Sequence, residues 1–500
     1  MDPKTQVTSL HGTSMLDAAL NTLEGNVSLA LLHEAGGPND RALVSLAVGA
    51  FMNLHGTAEL AAAEAARAAG NAPNAVLAAA VALVGPRRSE GARRILQVLI
   101  DRFAAAGLKS AVDEQWDSGR VVADDKLRAL VLGAEADPRA QVLLAGLRER
   151  GVRSAFLRWL TALRGHPRAD AVLAVICATL GWGPLMRKRV SRLTVETLPA
   201  WMQLFGTMIG ASVEGARHEP RRFCGLAEAE LLGRASLTET AFVALLGRAP
   251  TEPDLFAFQS LVGLLLTNGP GTISAQGSKG AVASDGSESP ERVQLNKAML
   301  GFLSHCGYAH GGNGYEGVAF LLEQFEGSGL ADPGAAQHGL DLKAMADKYV
   351  ARYAEYKSAR KNEGSLDIQK VPGVNHPVFK DKPVNHDPRE RFMAAKLAAR
   401  GEHNVFHDYY LALVQALFDA GVSRTVYCVN IDAVIAALLL KMVWKPYRAG
   451  QFGAEALESA AFTIFLYARM VGCAAETDDH LNRGRNMDTR TAASACRFVA

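Results

Sequence analysis

The sequence AHGGNG at residues 309–314 is the first of three short segments on which the prediction of fold and function depends. The second segment is PGVNHP at 372–377, and the third is VNIDA at 429–433. Each places a His or an Asp beside Gly, Pro or Asn, where the chain can turn and leave the side chain in a cleft. These side chains are His310, His376 and Asp432.

Two imidazoles and one carboxylate are sufficient to remove a proton from carbon and to stabilise the resulting enolate. In their order and spacing, the three segments resemble the catalytic segments of the citrate synthase family, which also includes citryl-CoA lyase. The resemblance covers about 220–495 of this chain. It implies a helical fold with a large and a small subdomain, and an enzyme that joins an acyl-CoA to a 2-oxo acid or cleaves the product.

The resemblance also implies a role for each of the three side chains. Asp432 would be the base that removes the α-proton of the thioester, and His310 would donate to the enolate oxygen. His376 would bind and polarise the ketone oxygen of the second substrate. The acyl-CoA is a substrate, and the resemblance favours acetyl-CoA; no permanently bound cofactor and no metal are expected.

Three arginines are implied as clamps for substrate carboxylates, because the planar guanidinium meets a carboxylate with two parallel hydrogen bonds. They are Arg389, Arg469 and Arg485. In the family the last clamp comes from the other subunit of a dimer. Either Arg483 or Arg490 is an alternative to Arg485, and a surface ion pair is the alternative for Arg389.

The segment around His376 also implies contacts with coenzyme A. Lys380 matches a basic position that meets the CoA phosphate in the family. The Pro372-Gly373 turn is expected to bring backbone N–H groups near the adenine or the thioester.

The sequence departs from the family at two positions. Asn268 stands where the family usually has a His that holds a carboxylate of the oxo acid, and Asn can donate a hydrogen bond but cannot carry charge. Asn375 stands where the family has Gly or Ala. A different oxo acid, a lower rate and the cleavage direction are all compatible with these departures.

The composition predicts an all-α protein. Ala and Leu, both strong helix formers, are abundant, while aromatic residues make up only 7% of the chain. Apolar residues recur with helical spacing in segments such as 127–131, 140–147 and 410–417. By contrast, the charged and Gly-interrupted stretch 357–370 is predicted to be a solvated loop.

Charge and hydropathy exclude several classes of partner. The net charge is +2 from 53 basic and 51 acidic residues, which gives no overall field for nucleic acid or an anionic membrane. The first residues lack a signal-peptide pattern, and no uninterrupted apolar run approaches the ~18 residues of a membrane span. Six widely spaced Cys are typical of reduced, buried thiols. We therefore expect a cytoplasmic protein that binds small molecules.

The chain resembles itself at four places in the same order, which predicts a tandem duplication. Residues 74–96 resemble 296–322, and Asp-Pro-Arg occurs at 137–139 and at 387–389. Further on, Asp170 parallels Asp432, and Thr207 parallels Arg469. The first copy has Arg88 in place of His310 and no counterpart of His376.

We therefore predict a degenerate unit at 1–215 and a competent unit at 216–500. The two copies would form an intramolecular pseudo-dimer, and further homo-oligomerisation is plausible on this reading. Two unrelated helical domains are the alternative.

Two further functions stay open at the level of sequence. A non-catalytic regulatory subunit that binds CoA or a carboxylate would explain Asn268 and the lost residues of the first copy. An unrelated helical scaffold is the third and weakest possibility.

Overall fold

The structure is a computed structural model that describes residues 7–283, 293–365, 367–376, 379 and 386–482. Helices form nearly all of its regular structure, which confirms the all-α prediction. Short antiparallel strands form three small sheets. The strands are β1 (Ser9–Leu10), β2 (Thr13–Ser14), β3 (Leu132–Gly133), β4 (His166–Pro167), β5 (His218–Glu219), β6 (Arg222–Phe223) and β7 (Leu226–Ala227).

The chain divides into two compact units. Unit 1 comprises the described residues of Met1–Thr8 and Cys306–Phe465, and unit 2 comprises those of Ser9–His305 and Leu466–Ala500. This division into compact units is a different property from the predicted repeat boundary near residue 215, which stays a prediction.

Most of the helices belong to unit 2. They are α1 (Met15–Ala18), α2 (Leu23–Leu32), α3 (Pro38–Gly49), α4 (Ala58–Ala68), α5 (Pro73–Ala82), α6 (Arg87–Ala105), α7 (Asp125–Val131), α8 (Pro138–Glu149), α9 (Ala155–Ala162), α10 (Ala169–Met186), α11 (Arg192–Ala211), α12 (Glu228–Gly233), α13 (Leu237–Leu246), α14 (Glu252–Leu264), α15 (Ile273–Ala283) and α16 (Leu295–Ser304). Two short 3₁₀ turns lie at Ser118–Arg120 and Gly215–Arg217.

Unit 1 is built from the remaining helices. They are α17 (Asn313–Phe325), α18 (Leu342–Asn362), α19 (Pro388–Ala399), α20 (Val405–Asp419), α21 (Ile431–Arg448) and α22 (Ala454–Asn482), the last of which continues into unit 2.

Small residues allow helices of unit 2 to pack closely in pairs. Helix α6 packs on α10, α4 on α5, and α15 on α16. A Cβ added at Gly277 of α15 would lie 2.4 Å from the carbonyl oxygen of Gly301 in α16, so the two backbones are in direct contact. Glycine is therefore required at this crossing.

In unit 1, α17 packs along α21, and α20 packs against both α18 and α21. A Cβ at Gly317 of α17 would lie 2.9 Å from the Cβ of Ala436 in α21. The indole of the buried Trp444 donates to the carbonyl of Leu330 at 3.0 Å. The Gly317 contact holds the beginnings of α17 and α21 side by side, and the Trp444 bond ties the end of α21 to the segment after α17.

The predicted loop at 357–370 is wrong in its first part. Helix α18 continues to Asn362, and the chain turns at Gly364, which has a φ of 71°. Lys, Arg and Ala are good helix formers, so the charged residues extend the helix until glycine ends it.

Two helices, Ala169–Met186 and Ala454–Asn482, are long and apolar enough to cross a membrane, although each also contains polar residues. Most of each apolar window is buried inside the protein. Core helices of soluble proteins have the same property, so these helices are weak evidence for a membrane span.

Candidate active site

Asp432 lies in the first turn of α21, where its position is set by the residue that caps the helix. The side chain of Asn430 accepts hydrogen bonds from the backbone N–H groups of Asp432 (2.9 Å) and Ala433 (3.2 Å). An Asx cap of this kind fixes the direction in which the helix begins. The carboxylate of Asp432 is consequently placed by the Val-Asn-Ile-Asp segment itself.

Hydrogen bonds join this cap to the segment that carries His376. Asn430 N donates to Gly373 O at 3.0 Å, and Asn375 N donates to Cys428 O at 2.8 Å. The Asn430 side-chain amide donates to Asn375 O at 2.7 Å. The second and third predicted segments are therefore neighbours in unit 1.

The turn before His376 uses two left-handed residues. Gly373 has a φ of 74°, and a Cβ there would lie 2.7 Å from Ala433 Cβ and 2.9 Å from the hydroxyl of Tyr410. Asn375 has a φ of 72°, a conformation that Asn tolerates better than most residues. Its side chain accepts from the backbone N–H of His376 at 2.9 Å.

Arg389 is almost fully buried and forms a bidentate ion pair with Asp387. Its Nε donates to Asp387 Oδ1 at 2.9 Å and its Nη2 to Oδ2 at 2.7 Å. Asp387 also accepts from Ile431 N at 3.1 Å, which ties the beginning of α19 to the beginning of α21. The predicted clamp is therefore a buried cation with two of its donors engaged by Asp387.

Burial and this ion pair set the protonation of the neighbouring groups. Desolvation raises the pKa of Asp432 to about 6, with a smaller lowering effect from Arg389 and raising effects from Asp387 and Glu316. Desolvation and the charge of Arg389 lower the pKa of His376. At neutral pH the site therefore holds an ionised carboxylate and a neutral imidazole.

His310 lies in a tight turn immediately before α17. Its backbone exchanges hydrogen bonds with Gly307 at 2.9 and 3.1 Å, and its ring meets the ring of Phe465 edge-on at 5.3 Å. Gly311 has a φ of 104°, and a Cβ there would lie 2.4 Å from Phe465. The glycines after His310 thus allow the imidazole to contact the aromatic ring.

Tyr410 of α20 is a buried member of this region that the sequence analysis did not single out. Burial raises the pKa of its phenol well above the usual value, with a contribution from Asp432. Its hydroxyl has no hydrogen-bond partner among the described residues. Helical spacing marked Tyr410 only as a core residue.

In unit 2 the structure brings together Asn268 and Arg469. Arg469 is 1% exposed on α22 and, with the amide of Asn268 oriented toward it, donates from Nη2 to Asn268 Oδ1 at 3.2 Å. The Asn268 amide then donates to Thr267 O at 3.2 Å. Asn268 therefore contacts the guanidinium directly, at the position where the family has His.

Acidic and thiol groups surround this pair. Burial raises the pKa of Glu476, against the lowering effects of a hydrogen bond from Thr267 and the charges of Lys279 and Arg469. Burial likewise raises the pKa of the Cys473 thiol to about 12. The thiol is thus protonated, which accords with the expectation of an inert cysteine.

The remaining predicted residues have the following places. Pro372 and Gly373 lie in the turn before His376, whereas Lys380 and Arg485 lie outside the described residues. Among the residues that the structure describes, no cluster of three or more His, Cys, Asp or Glu is suited to hold a metal ion.

Sequence reasoning missed Asp387 and Asn430, which connect the elements of the site. Both carried a signal, because Asp before Pro and Asn before an apolar run are typical helix caps. A capping pattern does not identify partners that are distant in sequence. Asp387 binds the start of α21, 44 residues further along the chain.

Comparison with known proteins found similar structures but no sequence match. No protein-family model matches the chain, and no curated protein matches it. Citryl-CoA lyase from Hydrogenobacter thermophilus is 18% identical, with 56% of this chain and 88% of that one covered and a TM-score of 0.40.

Two citrate synthases align over more of the chain. The enzyme from Thermoplasma acidophilum, solved with carboxymethyl coenzyme A and oxaloacetate, is 15% identical, with 96% and 88% of the chains covered and a TM-score of 0.48. The enzyme from Pyrobaculum aerophilum is 15% identical, with 96% and 85% covered and the same TM-score. At such identities the activity has to be argued from the residues themselves.

Proposed function

We propose that this protein is an enzyme that forms or cleaves a carbon–carbon bond between an acyl-CoA and a 2-oxo acid, as a citrate synthase or a citryl-CoA lyase does. The observation that carries the proposal is Asp432, a carboxylate with a pKa of about 6 beside the Arg389–Asp387 pair. A base whose pKa lies close to neutrality suits proton abstraction from carbon.

The condensation would proceed in two steps. Asp432 accepts the α-proton of the thioester while His310 donates to the enolate oxygen. The enolate carbon then attacks the ketone carbon of the oxo acid, whose oxygen accepts a hydrogen bond from His376. The lowered pKa of His376 supports this role, since a neutral imidazole can donate without carrying charge.

Arginine supplies the positive charge for substrate carboxylates. Arg469 is buried, with the amide of Asn268 at 3.2 Å and the carboxyl group of Glu476 close enough to interact with its charge. We propose that Arg469 and Asn268 together bind a carboxylate of the oxo acid. A neutral Asn beside the guanidinium favours an acid with fewer or differently placed charges than oxaloacetate.

The proposed base is tested by Asp432→Asn, which preserves shape and removes basicity. Turnover of acyl-CoA with a panel of 2-oxo acids, and cleavage of the corresponding hydroxyacyl-CoA, should fall roughly 10²–10⁴-fold. The kcat/KM of the wild-type protein should fall about tenfold for each pH unit below the pKa of Asp432. Unchanged turnover in Asp432→Asn would contradict the mechanism.

Asp170→Asn is the matched control, because Asp170 holds the equivalent position in the first half and burial also raises its pKa. This variant should keep wild-type turnover. CoA binding without turnover across the whole panel would instead favour the regulatory subunit.

We further propose that the chain is a tandem duplication, with a degenerate copy at 1–215. Equivalent residues make equivalent contacts in the two halves: Asp137 accepts from Ala169 N at 2.8 Å, as Asp387 accepts from Ile431 N at 3.1 Å. Pairing of Leu132 with Pro167 likewise matches the bridge from Val374 to Val429. By this register Ala134 replaces His376.

A third pair of contacts supports the same register. Arg93 meets Glu196 at 3.8 Å in the first half. In the second half the equivalent residues Tyr315 and Glu458 are also neighbours, since burial and the charge of Glu458 raise the pKa of Tyr315. Helix α5 of the first half also packs on α16 of the second. These contacts support an intramolecular pseudo-dimer. We further propose that the protein is cytoplasmic and forms homo-oligomers.

A further inference from the structure

A cavity of about 230 Å³ lies within unit 2, away from Asn268 and Arg469. Its walls come from the beginning of α6, from one face of α11 and from the beginning of α16. The volume is below the ~300–1,000 Å³ typical of drug-sized ligands, so it suits a smaller molecule. None of the residues assigned above to catalysis or substrate binding lines it.

Three polar side chains in the wall are more than nine-tenths buried. Ser89, Gln203 and Asn296 are 7%, 8% and 8% exposed. Within the described part of the chain, the side chains of these three residues make no hydrogen bond, and Asn296 Oδ1 is fully enclosed. Ser89, Gln203 and Asn296 thus give the cavity a wall of hydrogen-bonding groups that no other described residue engages, which suits a polar occupant.

The charges of the wall favour an anion. Glu196 is already engaged by Arg192 and Gln97, each at 2.7 Å. Arg93 approaches Glu196 only to 3.8 Å, and its buried Nε has no partner among the described residues. Because Nε is enclosed and 3.8 Å is too long for a hydrogen bond, the Nη groups of Arg93 are the donors left for a ligand.

The two other charged residues of the wall add to this bias. Glu90 is paired with Arg94, so its negative charge is largely compensated. Arg87 lines the same cavity. The wall therefore has two arginines, Arg87 and Arg93, and two glutamates that already have other arginine partners.

We propose that this cavity binds a small carboxylic acid that also carries a hydroxyl, oxo or amino group. Its carboxylate would accept from Arg93, while its other polar group would meet the amides of Gln203 and Asn296. Since none of the proposed catalytic residues lines the cavity, the bound acid would act as an effector or as a structural ligand.

The test is calorimetric titration of the full-length protein with malate, citrate and glutamate, with dimethyl malate as an uncharged control. At least one acid should bind and the ester should not. Gln203→Glu and Asn296→Asp are nearly isosteric and add negative charge to the cavity, so each should weaken binding at least about tenfold. Gln141→Glu makes the same change on the exposed surface of α8 and should have no effect.

Because such acids could also bind at Arg469, Arg469→Gln is titrated in parallel. Binding that survives Arg469→Gln but weakens in Gln203→Glu assigns the acid to the cavity. Binding that is lost in Arg469→Gln and unaffected by both cavity variants would overturn the proposal, as would the absence of binding by every acid. If a charged variant does not fold, Ser89→Ala, which removes one hydroxyl, provides the same comparison.

Discussion

The buried carboxylate of Asp432 should reduce the stability of the folded protein. Its pKa rises from 3.8 to about 6 on folding, so the folded state binds more protons between these values and stability falls as the pH increases through this range. Asp432→Asn removes the charge and should raise the free energy of unfolding at pH 7 by up to about 3 kcal/mol.

Urea unfolding at pH 4 and pH 7 measures this effect, because the gain should nearly vanish at the lower pH. Asp408→Asn is the control, since Asp408 also lies in the first turn of a helix but is exposed. An equal gain in both variants would show that burial of Asp432 is not the cause.

The backbone of Asn375 has a left-handed conformation immediately before His376. A β-branched residue at a φ of 72° costs about 1–3 kcal/mol, so Asn375→Val should lose that stability and also lower kcat/KM by displacing the imidazole. Asn375→Gly accepts the conformation and should keep most of the activity. Equal turnover by Asn375→Val and Asn375→Gly would contradict a role for His376 in the reaction.

At this scale the sequence predicts which side chains would carry the proposed chemistry but not their protonation or partners. His376 and Asp432 were recognisable because they stand beside turn residues. The pairing of Arg389 with Asp387 and the enclosed hydroxyl of Tyr410 depend on burial, which residue type alone does not determine.

The phenol of Tyr410 allows a separate test. Since its hydroxyl has no partner among the described residues, Tyr410→Phe should change the free energy of unfolding by less than about 1 kcal/mol in the absence of substrate. A loss above 2 kcal/mol, measured by urea unfolding, would reveal a buried hydrogen bond. Tyr353→Phe is the control that removes a known bond, the one to Gln369 O at 3.0 Å.

At the level of elements, the contact between α22 and the segment after α14 determines where Arg469 and Asn268 meet. A Cβ on Gly472 would lie 1.7 Å from the carbonyl oxygen of Leu266, a backbone atom that cannot move alone. Gly472→Ala should therefore cost at least about 2 kcal/mol of unfolding free energy and weaken oxo-acid binding.

Thermal and urea unfolding with oxo-acid titration checks this expectation against Gly271→Ala, where an added Cβ meets nothing within 4 Å. If Gly472→Ala left both the free energy of unfolding and oxo-acid binding unchanged, other contacts would have to position α22. Sequence could predict helix α22 from its apolar periodicity, but not that a glycine in it touches a backbone about 200 residues earlier. The error in the loop predicted at 357–370 has a local cause instead, because helix propensity outweighed charge up to Asn362.

At the scale of the whole molecule, the two proposed copies should not be separable. Thr194 of the first half donates to Asp478 at 2.9 Å, and Asn482 donates to Thr194 at 3.1 Å, within one compact unit. Helix α16 of the second half also packs on α5 of the first half in this unit. Separating the two halves at residue 215 would expose these faces to water.

We therefore expect residues 216–500 expressed alone to be insoluble or to lack a cooperative unfolding transition, because the apolar surface that α5 covers would be exposed. Co-expression of 1–215 with 216–500 should restore a soluble complex, seen by size-exclusion chromatography, together with its CoA-dependent turnover. The control is the full chain with a protease site inserted near residue 215, which should stay assembled and active after cleavage. A soluble, active 216–500 fragment would show instead that the first half has no part in folding the second.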